Sequence, residues 1–121
     1  MQETLHDRNG NAVAYIDYDD ESTIYMWNGK PVAYLSDNNT IYGFNGKHLG
    51  WYEDGTFWNL QGEKAGFNKN ASPVFTKFEP FKSFKNFKPF KSFKEFSKMK
   101  PFKKNSISAA SLEQHLLGGG K

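Results

Sequence analysis

Four times in the first 67 residues, an Asn-Gly or Gln-Gly dipeptide (Asn9-Gly10, Asn28-Gly29, Asn45-Gly46, Gln61-Gly62) separates two runs of alternating aromatic and β-branched residues. This is the strongest short-range signal for a β-hairpin, because a tight two-residue turn needs positive φ, which Gly and Asn tolerate. With the glycines aligned, Leu5–Ile16, Ile24–Leu35, Ile41–Tyr52 and Phe57–Phe67 form one repeating unit at a spacing of 16 to 19 residues. Polar turns at Asp19-Asp20-Glu21, Ser36-Asp37-Asn38-Asn39 and Glu53-Asp54-Gly55 join the units. A lone hairpin cannot bury its apolar face, so the four must pack on one another, radially or as a stack, and four favour a closed ring. Leu is scarce before the C-terminus and aromatics reach 17%, so the expected core is made of Tyr, Trp and Phe.

The runs Ile24-Tyr25-x-Trp27-x-Gly29-Lys30-Pro31-Val32-Ala33-Tyr34-Leu35 and Ile41-Tyr42-Gly43-Phe44-x-Gly46-Lys47-x-Leu49-Gly50-Trp51-Tyr52, with Asp54-Gly55 and Gly66-Phe67, resemble the four-fold β-flower domain family of small bacterial proteins. The resemblance covers roughly residues 5 to 70. It implies short hairpins arranged as petals around a pseudo-four-fold axis, and it implies no reaction. Residues 45 to 52 are also similar to MORN repeats, although the period here is shorter. The expected fold is therefore all-β: four tandem hairpins in residues 1–72, an arm in 73–104, and a short helix with a Gly-rich terminus in 105–121.

Charge separates these segments. Residues 1–72 carry five cations and ten carboxylates, whereas 73–104 carry ten lysines against Glu79 and Glu95 alone. Within the arm, Phe recurs at Phe75, Phe78, Phe81, Phe84, Phe87, Phe90, Phe93, Phe96 and Phe102, with Met99 at the vacant step. Lys follows Phe at Lys82, Lys85, Lys88, Lys91 and Lys94. A three-residue period drifts around an α-helix and alternates faces on a strand, but it gives three straight stripes on polyproline II, which also tolerates Pro73, Pro80, Pro89 and Pro101. The arm is therefore expected to be a polyproline-II-like element with a Phe binding stripe and a Lys basic stripe.

From Phe75 to Phe102 such an arm measures about 80 Å, against a head about 30 Å across. A straight arm outruns one head, so it either doubles back on its own head or crosses other molecules; the expectation is the second, docking on the acidic heads of neighbouring subunits or on a protein partner and giving a homo-oligomer or filament. The alternative is nucleic acid or an anionic membrane bound through interleaved Lys and Phe. Near the end, Ser108–Gly118 reads as a short helix with Ser108 as its cap and Leu112 and Leu116 on one face.

Catalytic and metal chemistry finds little support. The chain has no cysteine, which removes thiol catalysis, disulfides and thiolate metal sites. His6, His48 and His115 lie one per segment, and Asp17–Asn28 lacks the Gly and Glu that an EF-hand loop needs. Gly43, Gly46 and Gly50 precede no helix, so they do not form a phosphate cradle. Trp27, Trp51 and Trp58 are the best candidates for a groove on the head. The reading is a non-catalytic binding or self-assembly module without a small-molecule cofactor. With no Sec-type leader and no apolar run near ~20 residues, it is expected in the cytoplasm, non-Sec export leaving no readable mark.

Overall fold

The computed structural model describes residues 1–120. Eight antiparallel strands follow one another around a closed barrel: β1 (Gln2–His6), β2 (Ala12–Asp17), β3 (Thr23–Met26), β4 (Pro31–Leu35), β5 (Thr40–Gly43), β6 (His48–Glu53), β7 (Thr56–Trp58) and β8 (Lys64–Phe67). Each glycine turn joins the two strands of one hairpin, so β1β2, β3β4, β5β6 and β7β8 are the four petals. Three polar connections join petal to petal, and the pairing of His6 with Phe67 closes the ring.

The turns differ from the expected two-residue type. Positive φ falls on Gly10, Gly29, Gly46 and Gly62 but not on the Asn or Gln before them. The Gly N–H donates to the carbonyl three residues back, as in Gly29 to Met26 and Gly46 to Gly43. Each petal also carries a register shift at the same place, between Leu5 and His6, Ile24 and Tyr25, Ile41 and Tyr42, and Phe57 and Trp58. A type I turn followed by a left-handed Gly that forms a bulge accounts for both features.

Strand alternation sorts side chains differently from the expected aromatic core. Leu5, Ala14, Ile16, Ile24, Met26, Ala33, Ile41, Tyr52 and Phe57 pack together inside the barrel, and Gly66 faces the same interior against Leu112. Their sequence neighbours Tyr15, Tyr25, Tyr34, Tyr42, Trp51, Trp58 and Phe67 lie outside that cluster, yet none is more than 9% exposed. The period of two places those aromatics on the outer face of the barrel, so something other than the barrel buries them.

The core is completed from the C-terminus. Helix α1 (Leu112–Leu117) contributes Leu112 and Leu116, both essentially inaccessible, to the interior cluster. A Cβ on Gly66 would meet Leu112 Cδ1 at 2.7 Å, so β8 admits the helix only because that position has no side chain. The cap is Ser111, which forms a capping box with Gln114 three residues on: its hydroxyl accepts from Gln114 N–H while Gln114 Oε1 accepts from Ser111 N–H. The expected cap, Ser108, is instead buried, and its hydroxyl accepts from Ala110 N–H and meets His115 Nε2 at 3.0 Å. Before the helix, Ile107 bridges to Lys64 in parallel, extending the β8 edge.

Truncating Leu116 to Ala is expected to destabilise the whole barrel by about 2 to 5 kcal/mol, measured as a shift of the single melting transition. A variant that melts like wild type would mean that the helix is an accessory to the core.

Candidate functional site: an arm girdling the barrel

The outer aromatics form one cross-strand pair at each seam between petals. Tyr15 faces Tyr25 across β2/β3, Tyr34 faces Tyr42 across β4/β5, and Trp51 faces Trp58 across β6/β7. The two tyrosine pairs stack, with centroids 5.6 and 6.4 Å apart. The arm crosses all three seams in turn, on the barrel of its own chain.

Its lysines lie over these rings. Lys82 Nζ sits 4.7 Å from the Tyr15 centroid and 5.3 Å from that of Trp27, and Lys85 sits 4.9 Å from Tyr25. At the second seam Lys91 is 4.2 Å from Tyr34 and Lys94 is 5.2 Å from Tyr42; at the third, Lys100 is 5.9 Å from Trp51 and Lys103 is 5.1 Å from Trp58. Each ammonium meets the electron-rich face of a ring, worth about 0.5 to 1 kcal/mol at a part-exposed site. Carboxylates from the petal-to-petal turns complete the first and third seams, and at the second Lys94 donates to the Ser36 hydroxyl. Asp17 receives Lys85, Asp20 and Glu21 receive Lys88, and Glu53 receives Lys100 and Lys103. Hydrogen bonds from Lys85, Lys88 and Lys100 hold Asp17, Asp20 and Glu53 respectively below the ordinary carboxylate range.

The backbone follows the same repeat. Lys77, Asn86, Glu95 and Lys104 donate their N–H groups to the carbonyls of Gly10, Gly29, Gly46 and Gly62. The carbonyls of Phe75, Phe84, Phe93 and Phe102 press on the same glycines, and a Cβ at Gly46 would lie 2.2 Å from Phe93 O. Ser83 and Ser92 donate to Trp27 and Phe44 carbonyls, and Trp27 Nε1 donates to Pro80 O at 3.1 Å. Arm residues nine apart thus do the same job on successive petals, and the arm spends one nonapeptide on each.

This placement corrects several expectations. The arm does not extend straight away from its head; it bends around it, and a contour of about 80 Å runs most of the way around a body about 30 Å across. The acidic head that the Lys stripe docks on belongs to the same chain. The arm lies across Trp51 and Trp58, which are buried, whereas Trp27 is held by Pro80 and Lys82 yet stays half-buried beside an open depression lined by Val13 and Met26. The turn at Asp17–Glu21 is not merely solvated, since it anchors Lys85 and Lys88. Among the described residues no group of three or more His, Asp or Glu is placed to hold a metal ion.

The Phe stripe has the opposite fate. With one stripe donating N–H groups and one carrying lysines to the head, the third points outward: Phe75, Phe81, Phe84, Phe87, Phe90, Phe93, Phe96 and Phe102 are 94 to 103% exposed and Phe78 is 86% exposed. Tripeptide periodicity was visible in the sequence, but the nine-residue register against the petals was not. Its signal was there in Ser83 and Ser92, and in Pro80 and Pro89, each nine apart.

His48 ties the third nonapeptide to the barrel. The ring is 2% exposed, its Nδ1 accepts from Lys98 N–H at 2.9 Å, and its Nε2 donates to Gly50 O at 3.1 Å. Its own backbone N–H donates to Glu95 Oε1, and Tyr42 hydroxyl donates to Glu95 O. Burial holds the imidazole below its usual 6.5, and a second proton would convert Nδ1 from acceptor to donor. Folding therefore favours neutral His48, whose contribution is complete above 6.5 and is lost as pH falls below 6.5 and then through the lowered folded value. The melting temperature should fall on mild acidification more steeply in wild type than in His48→Gln; equal slopes would remove His48 from the latch.

Replacing Lys82, Lys85, Lys91 and Lys94 together by Gln should speed hydrogen exchange at the Ser83, Asn86, Ser92 and Glu95 amides while the strand amides of the barrel interior stay protected. Unchanged arm protection would show that the backbone bonds alone hold the arm.

The family comparison covers far more of the chain than the petals. A family model described as 4-fold beta flower protein matches residues 3–116. No curated protein and no solved structure matches the chain. The matched region takes in all eight strands but for Gln2, the entire arm, and helix α1 as far as Leu116, and the chain belongs to the 4-fold beta flower family.

Proposed function

We propose that the chain is a non-catalytic binding module in which the barrel and its lysine-riveted arm serve to display a row of phenylalanines. The observation that carries this reading is the exposure of the nine arm Phe side chains, from 86 to 103%. Each Phe presents about 150 to 250 Å², so the row greatly exceeds the 300 to 600 Å² that a monomer's largest apolar patch usually reaches. A surface of that size in water marks a docking site. Held against the barrel by backbone bonds at every petal, the row has already lost most of the conformational freedom that a flexible Phe-rich tail would lose on binding.

A catalytic reading has less behind it. Ser108 and His115 form a hydroxyl–imidazole pair, but Ser108 is 4% exposed and its oxygen already accepts from Ala110 N–H. The nucleic-acid and anionic-membrane readings call on the Lys stripe, whose ammonium groups at Lys85, Lys88, Lys100 and Lys103 are paired with carboxylates of the head.

The reading is tested with a variant carrying Phe78→Ser, Phe81→Ser, Phe87→Ser and Phe96→Ser. These side chains touch solvent, so the melting temperature should remain close to wild type. Wild type should be retained on a phenyl matrix under native conditions and the variant should elute early. Equal retention of the two proteins would overturn the display of Phe as the functional feature.

A further inference from the structure

The repeat that fits the arm to the barrel also divides the Phe row. Spans Phe75–Phe84, Phe84–Phe93 and Phe93–Phe102 each run from one petal turn to the next, each anchored by the same carbonyl and N–H contacts at Gly10, Gly29, Gly46 and Gly62. Successive petals of a four-petal ring face different directions, so the chain carries three similar apolar rows of four side chains, one over each lysine-covered seam, the third with Met99 in place of one Phe and successive rows sharing Phe84 or Phe93. The quadrant at β8/β1 lacks such a row because the arm begins there.

Resting on the display reading above, we infer that these rows dock on the rows of further copies of this chain, Phe between Phe, so that one molecule joins up to three neighbours. The argument is one of period. On a polyproline-II path the rings of one row recur at about 9.3 Å. A second row of the same period, offset by half a step, places its rings about 4.7 Å from each neighbour, within the 4.5 to 7 Å at which aromatic rings pack. The gaps in a row are therefore shaped for another row. A bilayer has no such period, and Lys85, Lys88, Lys100 and Lys103 are held on carboxylates of the head.

Area and charge agree with this occupant. Burying a whole row of four side chains, about 150 to 250 Å² per ring, removes on the order of 800 Å² from each partner, the size of a standard stable interface. The chain's formal net charge is only +3, because the arm's excess lysines are met by the head's carboxylates, so copies approach one another without strong repulsion. A row-to-row contact uses the same patch on both copies and is closed in itself, but three such patches per molecule extend the assembly into an open network.

Sedimentation velocity on the full chain over a wide micromolar range is the test, with Phe81→Ser, Phe87→Ser and Phe96→Ser altering one inner ring of each row. Wild type should show a weight-average mass that climbs past that of a dimer with concentration. Phe87→Ser alone, disabling one row, should give smaller assemblies, and the triple variant should stay monomeric with an unchanged melt. A wild-type protein that remains monomeric yet binds the phenyl matrix would overturn the homotypic contact and leave the display reading standing, whereas one that neither assembles nor binds the matrix would overturn both. Assembly undiminished in the triple variant, or flotation of wild type with phosphatidylcholine–phosphatidylglycerol vesicles in place of self-association, would also overturn the homotypic contact.

Discussion

The seating of the arm depends on lysine ammonium groups lying over tyrosine and tryptophan rings that the barrel turns outward. A barrel of this size fills its interior with one residue of every two, here Leu5, Ile16, Ile24, Ile41 and Phe57 with the two helix leucines, and leaves the alternate positions facing water. Those alternate positions are Tyr15, Tyr25, Tyr34, Tyr42, Trp51 and Trp58, far too apolar to be a solvent face without a cover. A hydrophobic cover would have bound them indiscriminately. A row of lysines with long apolar stems covers the rings with methylenes and meets their faces with charge, and polar groups at the rims, carboxylates at the first and third seams and the Ser36 hydroxyl at the second, receive several of the ammonium groups.

The seam without lysines supports this account. Counting from the turn glycines, the residues that correspond to Tyr15 and Tyr25 at the β8/β1 closure are Phe67 and His6. The arm positions nine before Lys82 and Lys85 are Pro73 and Thr76. Where the barrel lacks a tyrosine or tryptophan pair, the arm lacks lysine; a cation over a buried imidazole would gain little. That seam is stitched by neutral and acidic groups instead, with Asn68 Nδ2 donating to Glu3 and Thr4 hydroxyl donating to Glu79. Head and arm are therefore matched position by position.

Much of the head was legible because its signals are local. Four Gly turns at a near-constant spacing and alternation between them specify four hairpins, and four hairpins that each need a neighbour close into a ring. The three stripes of the arm were legible for the same reason. What could not be read was any fact that depends on two distant segments meeting. Alternation says that Ile24 and Tyr25 face opposite ways, but not which of them faces inward, and residues as apolar as Tyr and Trp are naturally assigned to the core. The arm's length against a straight ruler pointed away from its own head; around a curve the same length fits. Ser108 had every local qualification for a helix cap, yet the parallel bridge of Ile107 to Lys64 carries the chain past it, and Ser111 with Gln114 starts the helix.

Two counting systems run along this chain, tripeptides that decide which side chain faces out and nonapeptides that decide which petal is met. An insertion of three residues in the arm preserves the first and breaks the second: every Phe still points outward, but each later carbonyl and N–H misses its turn glycine. An insertion of nine preserves both and yields a span with no petal left to receive it. The length of the arm is thus quantised by the number of petals. Relatives with a longer or shorter arm are expected to differ from this chain by whole nonapeptides, or to have lost the winding altogether.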